Sequence, residues 1–330
     1  MTAIDATQRT LTEIQAPVRE QLDQVSGEMA RIISQDLPFL DQISAHLMAM
    51  RGKLFRPTIV LLSSQTAGRA DTRATTLAAT VELIHLATLV HDDAIDHSVL
   101  RRGMPTLNSL FSHQISVIMG DFLYSTTLSE LVNIGDIEVL RALTRASTDM
   151  TLGEMRQLSV SDSLSFSEDD YYALIKAKTA SLMAAAAEIG ALCGAPAHRS
   201  NLLEFGEALG MVFQISDDLI DYTEAQETTG KPTGLDLKEH KVTLPLIAAM
   251  RTMPASHRSR VDALFACKEP TDAMVSDVVS IVAKNGGLDY ARTKGEYFAK
   301  RARIALQPLP DTVARRSLMD SITYVMERHS

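Results

Sequence analysis

The chain has 330 residues, 45% of them hydrophobic and 22% charged, the balance of a globular protein large enough to bury a core without disulfide or metal staples. Its 32 Lys and Arg against 41 Asp and Glu leave a formal charge of −9, which argues against a nucleic-acid binder held by counterion release. The opening MTAIDATQRT has no apolar h-region, so no signal peptide is expected. The two cysteines, Cys193 and Cys267, are far apart and are expected to be small buried hydrophobes of a reducing, cytoplasmic protein.

Apolar residues recur at three- and four-residue spacing almost throughout, and no window alternates strictly, which predicts an all-α protein. A first helix is predicted over 54–67, with Gly52-Lys53 and Arg56-Pro57 at its start. A second, over 75–91, carries Glu82 and His85 inside its apolar run and ends in Leu89-Val90-His91-Asp92-Asp93-Ala94-Ile95-Asp96. Glu82 and His85 here, and Glu188 in 181–195, interrupt the long apolar stretches, so no transmembrane helix is expected. After Arg101-Arg102-Gly103-Met104-Pro105, a turn, come predicted helices over 107–133 and 169–193, the latter opening near Asp169-Asp170, where acid favours a helix N-terminus, and carrying Lys178-Thr179 in mid-helix. The helix over 202–222 ends in Phe213-Gln214-Ile215-Ser216-Asp217-Asp218-Leu219-Ile220-Asp221. Gly230-Lys231-Pro232 follows, Lys241 is expected to open the next helix, and a last helix is predicted over 288–306. No repeat or flexible linker appears, so one domain over 1–330 is expected, with loose first turns at the N-terminus.

Two D-D-x-x-D clusters each follow an apolar helical stretch. Asp92 and Asp96 are four apart and share a face, and Asp221 stands one turn beyond Asp217 and Asp218. Like charges so spaced destabilise even an exposed helix by about 0.2–0.5 kcal/mol per pair. Beside apolar neighbours, protonation or a cation must offset them. Hard oxygen donors suit Mg²⁺, which takes one or two carboxylates and completes its shell with water and phosphate. The basic groups Lys53, Arg56, Arg101, Arg102, Lys178, Lys231 and Lys241 then describe a site for a Mg²⁺-complexed polyanion such as a diphosphate.

With the first cluster followed by Arg101-Arg102-Gly103, the chain resembles the trans-polyprenyl diphosphate synthases. Gly52-Lys53, Glu82-Leu83-Ile84-His85, Gly120-Asp121, Gly153-Glu154 with Gln157, Lys178-Thr179, Phe213-Gln214, Gly230-Lys231 with Asp236, and Lys241-Val242-Thr243-Leu244-Pro245 stand in that family's order over about residues 50–250. The resemblance implies an all-α isoprenoid-synthase fold around a deep apolar cavity, a homodimer, and condensation of isopentenyl diphosphate with an allylic diphosphate such as farnesyl diphosphate. It implies three Mg²⁺ per site on Asp92, Asp96 and Asp217, with Asp93, Asp218 and Asp221 supporting. Arg101, Lys178, Thr179, Gln214, Lys231 and Lys241 would bind the allylic diphosphate, and Lys53, Arg56, His85 and Arg102 isopentenyl diphosphate. The catalytic set is then the six aspartates with Lys178 and Lys231. Two positions depart from the pattern: Leu54-Phe55 follow Lys53 where a second basic residue is usual, and His97 stands where an acid is common.

A hydrocarbon growing from Asp92 runs back along its helix past Thr88, Ile84 and Val81, with Ala87 beside them. These small and aliphatic residues carry no aromatic one turn below the acids. In the resembled family, small residues there accompany long products, so the expectation is about C30 to C50, a quinone side-chain precursor, within a depth set by pocket shape. Alternatives are a short-chain farnesyl or geranylgeranyl diphosphate synthase and a non-catalytic subunit of a heteromeric synthase. A terpene cyclase is disfavoured by the second D-D-x-x-D and by the absence of Trp. The expected partners are the two diphosphates and a second copy of the chain, with loose membrane association serving product release and no nucleic acid.

Overall fold

The structure is a computed structural model that describes residues 9–50, 52–68, 71–159, 163–223 and 233–328. The expected loose first turns lie outside the described residues up to position 8, as does Lys231. The fold is all-α, as the spacing predicts. α1 (Leu11–Gln15) opens on a capping box between Thr10 and Glu13. α2 (Arg19–Ile33), α3 (Pro38–Ala49), α4 (Phe55–Ser64) and α5 (Ala74–Ile95) follow.

Between α5 and the next helices the chain makes one two-stranded hairpin, β1 (Leu100–Arg101) and β2 (Met104–Pro105), paired Leu100 to Pro105 and Arg101 to Met104. Arg102 and Gly103 form its turn with φ of 52° and 75°, the left-handed pair that matches the twist of a tight hairpin. The predicted helix 107–133 is two helices, α6 (Leu107–Leu110) and α7 (His113–Ile134). Ser112 separates them because its hydroxyl accepts the Ile115 N–H and caps α7.

After α8 (Ile137–Ser159), α9 (Glu168–Ile175) starts at a capping box of Ser167 and Asp170, so the acids at 168–170 serve the helix N-terminus as expected. The predicted helix 169–193 is not regular: Lys176–Ala180 is a π-turn leading into α10 (Ser181–Gly194). α11 (Arg199–Thr223), α12 (Leu235–Lys238), α13 (Leu244–Met250), α14 (Ala255–Ala266), α15 (Asp272–Lys284), α16 (Gly287–Leu306) and α17 (Val313–Glu327) complete the chain. Lys241 lies in the connection after α12 and does not open a helix.

The core is continuous. α5 packs on α7, α4 and α2; α4 on α10; α10 on α8 and α11; and α11 on α16, while α17 closes against α4, α11 and α16. Gly190 permits the α10–α4 approach, since a Cβ there would stand 2.3 Å from the Val60 carbonyl oxygen. By length and composition α5 passes as a membrane span despite Glu82 and His85, but 72% of its apolar window is buried inside the molecule. Each fully buried Leu, Ile or Val of α5 contributes about 1.5–3 kcal/mol relative to exposure, so this helix is held by the protein core. Cys193 is buried, which pushes its thiol up to about 12, whereas Cys267 is only partly buried and its Sγ donates to the Glu269 carbonyl at 3.4 Å.

Candidate active site

The first acidic cluster sits where α5 stops. The Asp96 N–H donates to the Asp92 carbonyl, His97 takes φ 51°, and the His97 and Ser98 N–H groups donate to the carbonyls of Ala94 and Asp93 at 3.4 and 3.0 Å. This is a Schellman stop, and it gives His97 a structural reason: it fills the left-handed position that ends the helix. Asp93 points inward and is buried, where Arg101 donates from Nε to both carboxylate oxygens at 2.8 and 2.9 Å. Arg101, expected on a diphosphate, is thus held by Asp93, and the hairpin is tied to α5. Asp92 lies at the cavity wall; burial pushes its pKa up and the charges of Glu154 and Asp96 add to that, against Lys178 and Arg101.

The second cluster divides in the same way. Asp218 is buried and accepts from the Tyr171 hydroxyl at 2.5 Å and from Gln214 Nε2 at 2.9 Å, while Gln214 Oε1 accepts from the Thr179 hydroxyl at 2.7 Å. Burial, then the nearby Asp236 charge, holds Asp218 well above the carboxylate range. Asp221 accepts the N–H groups of Leu235 and Asp236 at 3.0 and 3.1 Å, pinning α12 to the end of α11. Burial and the Asp221 charge push Asp236 up to about 7. Asp217 is the outward carboxylate and pairs with Arg328. Lys241 pairs with Glu239 at 2.7 Å; burial works against its charge, but Glu239, Asp236 and Asp96 outweigh that and raise its pKa.

Both clusters open on one cavity of about 680 Å³, whose wall includes Asp96, Asp218, Asp236, Lys178, Thr179 and Lys241. Lys178, on the π-turn, is shared with a second cavity of about 340 Å³ and is paired with Glu154 and, at 3.1 Å, Gln157. A π-turn at a functional group is a common placement. The second cavity runs from Asp92 past Thr88, Ala87 and Ile84, the three expected chain-length residues, and is walled opposite by Tyr124 of α7 and Met150 of α8. The α5 face carries no aromatic, as the sequence shows, but Tyr124 brings one in from another helix.

The other basic residues gather around Glu82. The Arg56 and Arg102 charges act on both Glu82 and His85, and Arg102 reaches over Gly52 to donate from Nη1 to the Met50 carbonyl at 2.9 Å. Burial lowers the Arg56 and Arg102 pKa values and raises that of Glu82, and His85 falls well below its usual value through burial and then the Arg56 and Arg102 charges. Arg56 Nε and Glu82 Oε2 are buried with no hydrogen-bond partner. Lys53 is exposed, and its carbonyl accepts from Gln15 Nε2 at 2.9 Å. Such surplus of buried positive groups suits a bound anion.

Glu154, Gln157, Asp236, Glu82, Tyr171 and Arg328 belong to this arrangement but were not read as site residues. Glu154, Gln157, Asp236 and Glu82 stood inside quoted motifs; Tyr171 and Arg328 carried no sequence signal. Among the described residues no three His, Cys, Asp or Glu side chains form a ready metal cage. Open carboxylates offered singly or in pairs beside cationic side chains nevertheless fit Mg²⁺, which keeps water and phosphate in its shell.

A family model described as polyprenyl synthetase matches residues 37–282. The chain is 34% identical to an all-trans-nonaprenyl-diphosphate synthase (geranyl-diphosphate specific) of Rhodobacter capsulatus, over 96% of this chain and 97% of that one. It is 32% identical to the octaprenyl diphosphate synthase of Escherichia coli, over 96% and 99%. Among solved structures, a polyprenyl synthase from Caulobacter crescentus complexed with calcium and isoprenyl diphosphate superposes with a TM-score of 0.91 at 31% identity, covering 98% of this chain and 99% of that one.

Proposed function

The chain belongs to the polyprenyl synthetase family and is a trans-prenyltransferase, and from that premise we propose that it is a Mg²⁺-dependent synthase that joins isopentenyl diphosphate to an allylic diphosphate to make a long all-trans polyprenyl diphosphate of about C30 to C50. The observation that carries the reading is that Asp96 of the first acidic cluster and Asp218 of the second line one cavity, and that this cavity shares Lys178 with a more apolar one lined by Asp92. In this reading all of 1–330 is one cytoplasmic synthase domain.

Asp92, Asp96 and Asp217 would hold three Mg²⁺ with the allylic diphosphate, and Asp93, Asp218 and Asp221 keep the helix ends in place through Arg101, Tyr171 and the α12 backbone. When bound, the ions neutralise charge on the departing diphosphate. Lys178, Lys241, Thr179, Gln214 and Arg101 do the same from the protein side, preorganised by Glu154, Glu239 and Asp93. Lys231, outside the described residues, is assigned the same role. Lys53, Arg56, His85 and Arg102 hold isopentenyl diphosphate, whose double bond attacks the allylic carbon as its bond to diphosphate breaks. The released diphosphate takes the proton lost when the new double bond forms. Apolar walls along Ala87, Thr88 and Ile84 exclude water and receive the growing chain.

The names of similar proteins, octaprenyl and nonaprenyl synthases, support a long product. A short-chain product has one observation in its favour, the Tyr124 ring in the second cavity. Exposed apolar residues along α7 and α8, among them Ile118, Val132, Met155 and Leu158, support the expected homodimer. Asp92→Ala and Asp217→Ala are expected to lower incorporation of labelled isopentenyl diphosphate at least a hundredfold with the helical CD spectrum retained, and chelation of Mg²⁺ to abolish it. Near-normal turnover in folded variants would refute the metal assignment.

A further inference from the structure

The end of the last helix reaches the second acidic cluster. Arg328, which caps α17, donates from Nη2 to Asp217 Oδ1 at 2.8 Å and to the Phe213 carbonyl at 2.9 Å. Its guanidinium carbon lies 3.8 Å from the centre of the Phe213 ring, and Phe55 packs beside both Phe213 and Tyr324, with ring centres 5.9 and 6.2 Å apart. Only 15% of the Arg328 side chain is exposed, against 54% of that of Asp217. The arginine is therefore packed into the protein against Phe213 while the carboxylate keeps an open side. Packing alone does not explain the charge, since Arg328 Nε is buried with no hydrogen-bond partner, a penalty that an apolar side chain avoids.

A cation fixed on one oxygen of a carboxylate opposes a second cation at the other, and more strongly at a protein site than in water. The negative charge of a diphosphate cancels that opposition. Building on the reading of Asp217 as a Mg²⁺ ligand, we propose that Arg328 is a positioning residue that orients Asp217 and holds its charge in reserve, so that Mg²⁺ binds tightly at the second cluster only together with a diphosphate. Metal loading is thereby coupled to substrate arrival by a contact from the C-terminal helix.

Calorimetric titration of the full chain with Mg²⁺, alone and with inorganic diphosphate, tests this. Arg328→Gln is expected to bind Mg²⁺ alone several-fold tighter than the unchanged protein, and to gain less from diphosphate. Arg328→Lys should retain most of the suppression. Arg316→Gln, which removes an exposed partner of Asp311 on the same helix, should titrate like the unchanged protein. Should Arg328→Gln lose its helical CD signal, Arg328→Met, which keeps apolar cover on Phe213, reads the same quantity. Equal or weaker Mg²⁺ binding by the folded variant, or equal tightening by Arg316→Gln, overturns the proposal. The prenyltransferase reading survives that result if Asp217→Ala still weakens diphosphate-dependent Mg²⁺ binding. An unchanged protein that binds no Mg²⁺ even with diphosphate overturns both.

Discussion

At the scale of single residues, each D-D pair splits its labour. Asp93 and Asp218 are buried and committed to Arg101 and to Tyr171 with Gln214, whereas Asp92 and Asp217 keep an open side. The split leaves a titrating group, because Asp236 is pushed from 3.8 to about 7 by burial and by Asp221. The folded chain then holds a proton that the unfolded chain has released, so this residue makes the metal-free protein less stable as pH rises from about 4 to 7, with the full loss present above 7. Asp236→Asn is expected to raise the melting temperature of the metal-free protein most above pH 7, with the gain fading towards pH 4. A gain independent of pH would contradict this account. The outer acids were legible because four-residue spacing on an apolar helix is a rule of one segment. Asp236 was marked by its motif, but its place at Asp221, 15 positions back, and Arg328, 111 positions beyond Asp217, were not legible, since only tertiary packing brings them in.

At the scale of elements, the acids are positioned by how helices stop and bend. α5 ends in a Schellman stop at His97, a position where glycine is the usual solution. His97→Gly is expected to relieve the left-handed conformation and raise stability by up to about 1 kcal/mol, which thermal denaturation should show as a rise of up to roughly 1.5 °C; a fall would mean that the His97–His113 ring contact at 5.8 Å outweighs the strain. Helix existence followed from apolar periodicity, but the break at Ser112 and the π-turn at Lys176–Ala180 did not. Both depend on local hydrogen-bond choices that periodicity does not encode. The departure at Leu54 is also a matter of backbone: it takes φ 51° at the start of α4, turning Lys53 outward and Arg56 inward.

At the scale of the whole molecule, the exposed apolar residues of α7 and α8 lie on the helices that also wall the second cavity, with Tyr124 and Met150 on its inner side. A partner on that face would cover surface whose exposure is otherwise unfavourable and would stiffen the wall of the product cavity. Sedimentation should give a dimer for the unchanged chain and a monomer for Ile118→Asp with Leu158→Asp; a monomeric unchanged chain would contradict the dimer. The fold class and both acidic clusters were readable in the sequence, whereas the cavity's second wall was not, because the packing of α7 on α5 and of α8 on α10 that brings Tyr124 and Met150 to the cavity is a tertiary choice.

The most direct test of the central claim is the length of the product. The protein would be incubated with Mg²⁺, farnesyl diphosphate and labelled isopentenyl diphosphate, and the dephosphorylated products separated by chain length, beside Ala87→Phe and Tyr124→Ala. The account predicts a ladder ending within about C30 to C50, shortened by Ala87→Phe and unchanged or lengthened by Tyr124→Ala, as expected for a cavity whose walls set the end point. A ladder from the unchanged protein that stops at about C15 to C20, or an Ala87→Phe product of unaltered length, would contradict the cavity's assigned role.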